Sequence, residues 1–502
     1  MKWSKYQKDI FRAIRDTDES IAIKAVPGSG KTTTIVRSSK LLDFSKSAIF
    51  LAFNKAIASE LNEKISPICD ASTFHGIGAT ACAQNLPKVV IEQNKYWPII
   101  SAYIDRPIEP FGGLFSSAYP LLQLVDAARC RRVKLTPRGV ETLTETMGIL
   151  GVRAGSTHTW AEVAKHIKAC IKRGTKLALK QGVIDFTDMV WLPCFKDWDI
   201  QPYTTVYVDE AQDLNPVQLT LLQKIVETGG RLIMVGDPNQ AIYAFTGAMS
   251  ESFFITKETF QAREMPLSVC YRCPTSHLEI ARRFCKTVEA APNAVEGSVD
   301  EISYSSLQYE LSNHTSSNLL ICRSKAPLIK TFINLLAEGV ECQFNKGTIL
   351  NSIISLIEIL ENGYGASMSN LDRYLAEYHA DEKTRLEESH PGGAKMAIRN
   401  LGDNVEALRT LLYAFRRSCS SVIVFKAKIR SLAKKKGNTT LSTVHGAKGL
   451  EADWVGVLDW EKMPLNINGM SDEQRKQEKN LQLIASTRSK QHLRLIPMPD
   501  DE

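Results

Sequence analysis

Gly28-Ser29-Gly30-Lys31-Thr32-Thr33-Thr34 constrains this chain more than any other stretch. It follows the apolar run Ile21-Ala22-Ile23 and leads into Ile35 to Leu42, which can continue as a helix. A strand, a glycine-rich turn and a helix N-terminus in that order make a cradle for phosphate, because glycine lets backbone N–H groups approach an anion and the helix dipole favours negative charge. In such a cradle Lys31 reaches the β- and γ-phosphates of a nucleotide, and the Thr32 hydroxyl holds Mg²⁺. Ala25 stands where the usual pattern opens with glycine. Taken alone, these residues also describe a Gly/Ser turn capping an ordinary helix; the strand before and the helix after favour the phosphate loop.

Short apolar or β-branched runs recur along the chain, each followed by a polar or glycine-containing turn. They are Ile21 to Ala25, Ala48 to Phe53, Thr205 to Val208, Leu232 to Val235, Asn318 to Ile321, Leu441 to Val444 and Trp454 to Leu458. Separated by helical patterns, they read as buried strands of parallel sheets, an α/β fold in which ligands gather at the carboxyl ends of the strands. The polar residues just after each run therefore matter most. Thr205 to Val208 runs into Asp209-Glu210-Ala211-Gln212-Asp213. Beside a phosphate loop, Asp209 suits the metal and Glu210 suits the general base that activates a water. The alternative for either acid is a helix N-terminus, where the dipole favours negative charge. Leu232 to Val235 runs into Gly236-Asp237-Pro238-Asn239-Gln240, which places Gln240 beside the same cleft as a sensor of the γ-phosphate.

At 502 residues the chain has length for several cores, so more than one domain is expected. Two intervals, from about Gln84 to Gly182 and from about Leu350 to Gly437, lack the strand rhythm and read as helical insertions. Arg129, Arg131, Arg132 and Lys134 in the first, and Lys434 to Lys436 in the second, are candidate contacts to a nucleic-acid backbone or else solvated helix faces. The net charge of +7 is compatible with a nucleic-acid partner and equally with a slightly basic enzyme. The 11 cysteines are scattered, as in reduced intracellular proteins. Cys270 and Cys273 form a C-x-x-C with His277 and Cys285 at spacings a zinc site could use, but a second such pair is missing. Lys2, Lys5 and Lys8 have no apolar run behind them, and no stretch approaches the length needed to cross a bilayer. A soluble intracellular protein without a membrane partner is expected, cytoplasmic or nucleoid-associated.

The ordered series of blocks resembles superfamily 1 DNA helicases of the UvrD/Rep type, and within them the branch that includes the F-box DNA helicases, although no F-box segment is present. The blocks begin with Tyr6-Gln7-Lys8, the phosphate loop, Phe53-Asn54-Lys55-Ala56-Ile57-Ala58, Thr73-Phe74-His75-Gly76 and Ile184-Asp185-Phe186. Val208 to Asp213, Val235 to Gln240 with Ile242-Tyr243, and Tyr271-Arg272 come next. The last are Cys322-Arg323-Ser324, Val444 to Glu451, and Asn480-Leu481 with Thr487-Arg488. Phe245-Thr246 departs from the Trp-Arg common at those positions.

The resemblance implies two RecA-like parallel-sheet domains, each with a mainly helical insertion: residues 1–85 with 181–266, interrupted by 86–180, and residues 267–350 with 437–502, interrupted by a short 351–436. It implies ATP and Mg²⁺ as cofactors. By the same resemblance Pro27, Gly28, Ser29, Gly30, Lys31, Thr32 and Thr33 hold the phosphates, Gln7 reads the adenine, Tyr271 stacks on it and Glu451 approaches the ribose. Arg272 and Arg488 are the implied arginine fingers. Asn54, Thr73, Phe74, His75, Tyr243, Phe245, Arg323 and His445 are the implied DNA contacts, with Phe74, Tyr243 and Phe245 as stacking platforms. The implied activity is that of a monomeric, DNA-stimulated ATPase that moves 3′ to 5′ on single strands and acts at single-strand/duplex junctions. Rival readings are a translocase that displaces proteins without opening duplexes, an ATP-switched nucleic-acid clamp or recruitment subunit, and RNA as the substrate.

Overall fold

Alternation along the apolar runs decides the architecture of the first half. Ile21, Ile23, Ala25, Phe50 and Tyr207 fall in one buried cluster, and Ala22, Ile49, Leu51, Val206 and Val208 in another. Strands buried on both faces belong inside a parallel sheet that helices cover above and below. The computed structural model of the chain contains two such sheets, one in each of two compact units, Met1–Val269 and Cys270–Glu502. The structure describes residues 2–41, 47–52, 54–65, 69–104, 118–147, 149, 152, 159–242, 251–314, 317–345, 348–389, 394–467, 470 and 472–499.

The sheet of the first unit comprises β1 (Ile21–Ala25), β2 (Ala48–Ala52), β3 (Asp70–Thr73), β4 (Tyr203–Val208), β5 (Val226–Gly236) and β6 (Arg263–Leu267). They pair in the order β3-β2-β4-β5-β1-β6, all parallel. Ile23 lies beside Val235, Lys24 beside Gly236 and Val208 beside Met234. The carboxyl ends of β1, β5 and β4 therefore finish side by side, and the turns that leave them converge.

The helices Tyr96–Ile104, Ala118–Cys130, Pro137–Met147 and Trp160–Gln181 gather around a cluster of their own that includes Tyr96, Leu121, Leu124, Val140 and Ile167. Where they meet the sheet's helices, apolar packing by Ile171 and Ala178 is joined by an ionic network. Asp185 caps the helix Phe186–Phe195 in a reciprocal box with Asp188. The same two carboxylates bind Arg129, whose Nη1 is 2.8 Å from Asp188 Oδ1 and whose Nη2 is 2.8 Å from Asp185 Oδ2. Lys95 pairs with Asp188, both side chains fully buried, and the Arg129 guanidinium lies 4.3 Å from the centre of the Tyr96 ring. The expectation of Arg129 as a nucleic-acid contact is corrected accordingly: its donors are committed inside the unit.

The second sheet comprises β7 (Ser298–Glu301), β8 (Asn318–Cys322), β9 (Cys342–Phe344), β10 (Thr439–Thr443), β11 (Ala452–Leu458) and β12 (Ser489–Ile496). The order is β7-β12-β11-β8-β10-β9, again all parallel. Its inserted helices, Thr348–Tyr364, Leu371–Ser389, Ala394–Phe415 and Val422–Leu432, have no separate core. Ile353, Leu375, Leu408 and Phe425 share one cluster with Leu320, Leu441 and Trp454 of the sheet. The expected α/β class with two RecA-like parallel sheets is what the chain forms. Among the described residues no helix is long and apolar enough to cross a membrane.

Candidate nucleotide site and strand-tip loops

The phosphate loop bridges β1 and the helix Lys31–Ser39. Gly28 and Gly30 have φ of 67° and 76°, a left-handed backbone that disfavours a side chain by roughly 1–2 kcal/mol. Between them Ser29 is fully buried, and its Oγ has no hydrogen-bond partner among the described residues. A buried hydroxyl left unsatisfied is costly, and a phosphate oxygen in the cradle would answer it. Pro27 is buried beneath the loop and Thr33 faces outward. Gln7 is 2% exposed. Its Nε2 donates to Thr34 Oγ1 at 3.0 Å and its Oε1 accepts from the Ser4 N–H at 3.0 Å. The amide expected at the adenine thus braces the loop's helix against the first helix, Lys5–Asp16.

At the end of β4 the two acids meet the loop. Thr32 Oγ1 donates to Asp209 Oδ2 at 2.7 Å, and Lys31 Nζ stands 3.1 Å from Glu210 Oε1. Glu210 has φ of 53°, a strained value for a non-glycine residue. Gln212, fully buried, holds it there: its Nε2 donates to Glu210 Oε2, while its Oε1 accepts from the Asp237 N–H at 2.9 Å. A Cβ on Gly236 would lie 2.6 Å from that Oε1, so a side chain at the end of β5 would displace the Gln212 amide. Gln240 Nε2 donates to Asp237 Oδ2 at 2.6 Å, which seats the expected phosphate sensor on the neighbouring acid. Sequence pattern assigns no role to Gln212 or Asp237, although both stand in the turns that follow apolar runs.

Burial and the Glu210 charge push the Asp209 carboxyl up to about 6, against the pull of Lys31 and the Thr32 hydroxyl. Burial likewise raises Asp237. Burial alone would lower the Lys31 ammonium, but Glu210, Asp237 and Asp209 outweigh it and hold its pKa up. Carboxylates with raised pKa are a site short of positive charge, and a divalent cation on Asp209 and Thr32 would supply it. Mg²⁺ is ordinarily bound by one or two carboxylates together with substrate phosphates, so these residues fit it.

Two loops at strand ends repeat one pattern. Ser72-Thr73-Phe74-His75-Gly76 runs from β3 into a helix, and Ser442-Thr443-Val444-His445-Gly446 ends β10. The Gly76 N–H donates to Thr73 Oγ1 at 3.0 Å and the Gly446 N–H to Thr443 Oγ1 at 3.1 Å. Burial lowers the pKa of both histidines, that of His445 to about 3, so both imidazoles are neutral at physiological pH. His75 meets the exposed Phe186 edge to face, with ring centres 6.3 Å apart. Phe74 is corrected: it begins the helix Phe74–Asn85, is 5% exposed and packs in the core with Ile49 and Val208, so its ring offers no face to a base. Asn54 is exposed, and its Oδ1 accepts from the Ile57 N–H at 2.9 Å. Tyr243 and Phe245 lie outside the described residues.

In the second unit Tyr271 is 41% exposed. Glu451 Oε2 lies 2.5 Å from Arg272 Nε and its Oε1 2.9 Å from Lys490 Nζ. These cations hold the Glu451 carboxyl below its ordinary range although burial opposes them. Arg488 is 1% exposed, with Nε on the Ile484 carbonyl at 3.0 Å and Nη1 on that of Leu450 at 3.3 Å. The Arg323 guanidinium grips the buried Glu478 through Nε at 3.0 Å and Nη2 at 2.7 Å. Of the possible zinc ligands, His277 Nε2 bonds the Ser298 carbonyl at 3.0 Å and Cys273 Sγ the Thr487 carbonyl at 3.5 Å. Among the described residues no group of three His, Cys, Asp or Glu side chains converges to hold a metal ion.

Residues 6–261 match the profile described as the UvrD/REP helicase N-terminal domain. The chain is 25% identical over 276 residues to F-box DNA helicase protein 1 of Schizosaccharomyces pombe, covering 49% of this chain and 29% of that protein. It is 24% identical over 340 residues to the ATP-dependent DNA helicase PcrA of Leuconostoc citreum, covering 62% and 43%. With DNA helicase IV of Escherichia coli it is 24% identical over 322 residues, covering 54% and 46%. Each match spans less than half of the relative's length. The profile takes in the phosphate loop, the acids of β4 and the clamp that joins them to β5, all within one match over half of the sequence, and the chain belongs to the UvrD/REP helicase family.

Proposed function

We propose that this protein is an ATP-driven DNA helicase or translocase that moves 3′ to 5′ along single-stranded DNA. The observation that carries the reading is the meeting of Lys31 and Thr32 with Glu210 and Asp209 at the strand tips. Lys31 and Glu210 satisfy each other's charge; a γ-phosphate competes for Lys31 and frees the Glu210 carboxylate to take a proton from water. Thr32 and Asp209 would hold Mg²⁺, which would neutralise charge on the phosphates. Gln212 keeps Glu210 in its strained backbone position and connects it to Asp237 and Gln240. Pro27 to Thr33 bind the phosphates, while Tyr271, Glu451, Arg272 and Arg488 are the second unit's proposed contribution to the nucleotide. Arginines in that role are worth about 10³–10⁵ in rate in related NTPases. Closure of the two units on ATP and their opening after hydrolysis would drive the movement. The strand would run along the loops bearing Asn54, Thr73, His75 and His445.

The test is ATP turnover with and without single-stranded DNA, for the wild type and for Lys31→Ala, beside unwinding of duplexes tailed at either 3′ or 5′ ends. Stimulated turnover that Lys31→Ala abolishes without loss of strand binding is expected, with unwinding from 3′ tails. Unchanged hydrolysis in Lys31→Ala overturns the site, and unwinding from 5′ tails alone overturns the direction.

A further inference from the structure

The first unit carries a groove of about 770 Å³ bounded by the helix Trp160–Gln181, the end of the helix Phe186–Phe195 and the turn after Ala118–Cys130. None of its lining residues belongs to the nucleotide site or the strand-tip loops. Its floor is apolar, built from Leu135, Ile171, Leu179, Trp191 and Phe195, and Leu179 and Phe195 are 37% and 55% exposed. Its rim is cationic. Lys168, Lys172, Lys176 and Lys180 recur every fourth residue along one helix, Arg132 and Lys196 come from the other two elements, and no acidic side chain lines the groove. We propose that it receives a short amphipathic helix of a partner protein, apolar on one face and flanked by glutamate or aspartate.

Charge complementarity names the occupant. Lysines four residues apart are spaced by about 6 Å along the helix axis, the same interval at which carboxylates recur on a partner helix, and the ladder is about 18 Å long, or roughly three turns. An extended peptide would leave backbone groups unbonded over this floor, since the one lining hydroxyl, Thr175 Oγ1, already donates to the Ile171 carbonyl at 2.7 Å. A helix satisfies its own backbone. Nucleic acid is the poorer fit. Aliphatic side chains give bases nothing flat to stack on, and Phe195 has Trp191 stacked at 4.3 Å on one face and the Lys196 ammonium 5.3 Å from its centre. This is helix-in-groove recognition with a basic rim.

The experiment is fluorescence anisotropy on the full chain with a labelled synthetic peptide of about fifteen residues carrying Leu at i, i+4 and i+7 between flanking Glu. Controls are a scrambled peptide, a Glu-to-Gln peptide and an unlabelled oligothymidine competitor. Binding of the acidic amphipathic peptide alone is expected, weakened by salt and reduced at least about tenfold both in the double variant Lys172→Glu with Lys176→Glu and in Leu179→Asp. These side chains lie outside the core, so the fold persists, and basal ATP turnover stays at the wild-type value. Equal binding of the scrambled peptide, or indifference to the substitutions, overturns the proposal. Displacement by oligothymidine, with strand affinity falling in the same variants, replaces it with a nucleic-acid surface. Because turnover is read alongside, a failed nucleotide site and a failed groove give different results.

Discussion

Asp209→Asn should stabilise the first unit while abolishing its ATP chemistry. In the fold this carboxyl titrates at about 6, against 3.8 for the unconstrained group, and each unit of pKa is about 1.4 kcal/mol. The folded state therefore binds the proton more tightly than the unfolded state, so stability falls as pH rises from 3.8 to about 6 and the penalty is complete above that. The full penalty is about 3 kcal/mol, and asparagine, which still accepts the Thr32 hydroxyl, removes most of it. Amide hydrogen exchange in β1 and β4, read by mass spectrometry without nucleotide, reports opening of that sheet alone. At about pH 8 exchange in the variant should be roughly thirty- to a hundredfold slower than in the wild type, and the free-energy gain at about pH 5 should be about half as large. No slowing at the higher pH, or an equal gain at both, would show that burial beside Glu210 does not strain Asp209.

Asp188→Ala leaves Lys95 and Arg129 buried with too little counter-charge and should cost about 3–5 kcal/mol in urea unfolding of the first unit; a loss below about 1 kcal/mol contradicts the network described. Gly236→Ala forces the Gln212 amide aside and should lower ATP turnover at least about tenfold with the circular dichroism spectrum retained, on the scale of a misplaced catalytic group; unchanged turnover would show that the clamp on Glu210 is dispensable. Phe74→Ala should cost about 3–5 kcal/mol as a core cavity, whereas lost strand affinity at unchanged stability would restore it as a stacking residue.

The strands legible from sequence pattern are the interior ones. β1, β2, β4 and β5 of the first sheet and β8, β10 and β11 of the second lie between two neighbours and overlap apolar or β-branched runs, whereas β12, also interior, escapes because polar and charged residues are interspersed along it. The edge strands β3, β6, β7 and β9 escape that pattern, because a strand with one paired side is partly exposed and its residues look like loop: Asp70–Thr73 and Ser298–Glu301 hold no fully buried residue. Lys31, Thr32, Asp209 and Glu210 are legible because strand, turn and helix fix their positions locally. Gln212 is not, since its role rests on a hydrogen bond to a residue 25 positions away at the end of another strand. Arg129 and Phe74 mislead for one reason: a basic run and an aromatic after a strand carry no mark of burial until the packing partners are known.

The two insertions differ in how their interiors are assembled, and that difference sets how freely each can diverge. The bundle containing Tyr96, Leu124 and Ile167 has a core of its own and joins the neighbouring helix through a few charges together with Ile171 and Ala178, so its outer surface can drift so long as those contacts and the pairing of Lys95 and Arg129 with Asp185 and Asp188 are kept. The helices carrying Ile353, Leu408 and Phe425 share their sheet's apolar cluster and, through the one bearing Leu408, pack over Lys325–Ala337, the helix that lies on β8 and β10. Trimming them would strip apolar cover from that helix, so shortening the segment means rebuilding the layer beneath it.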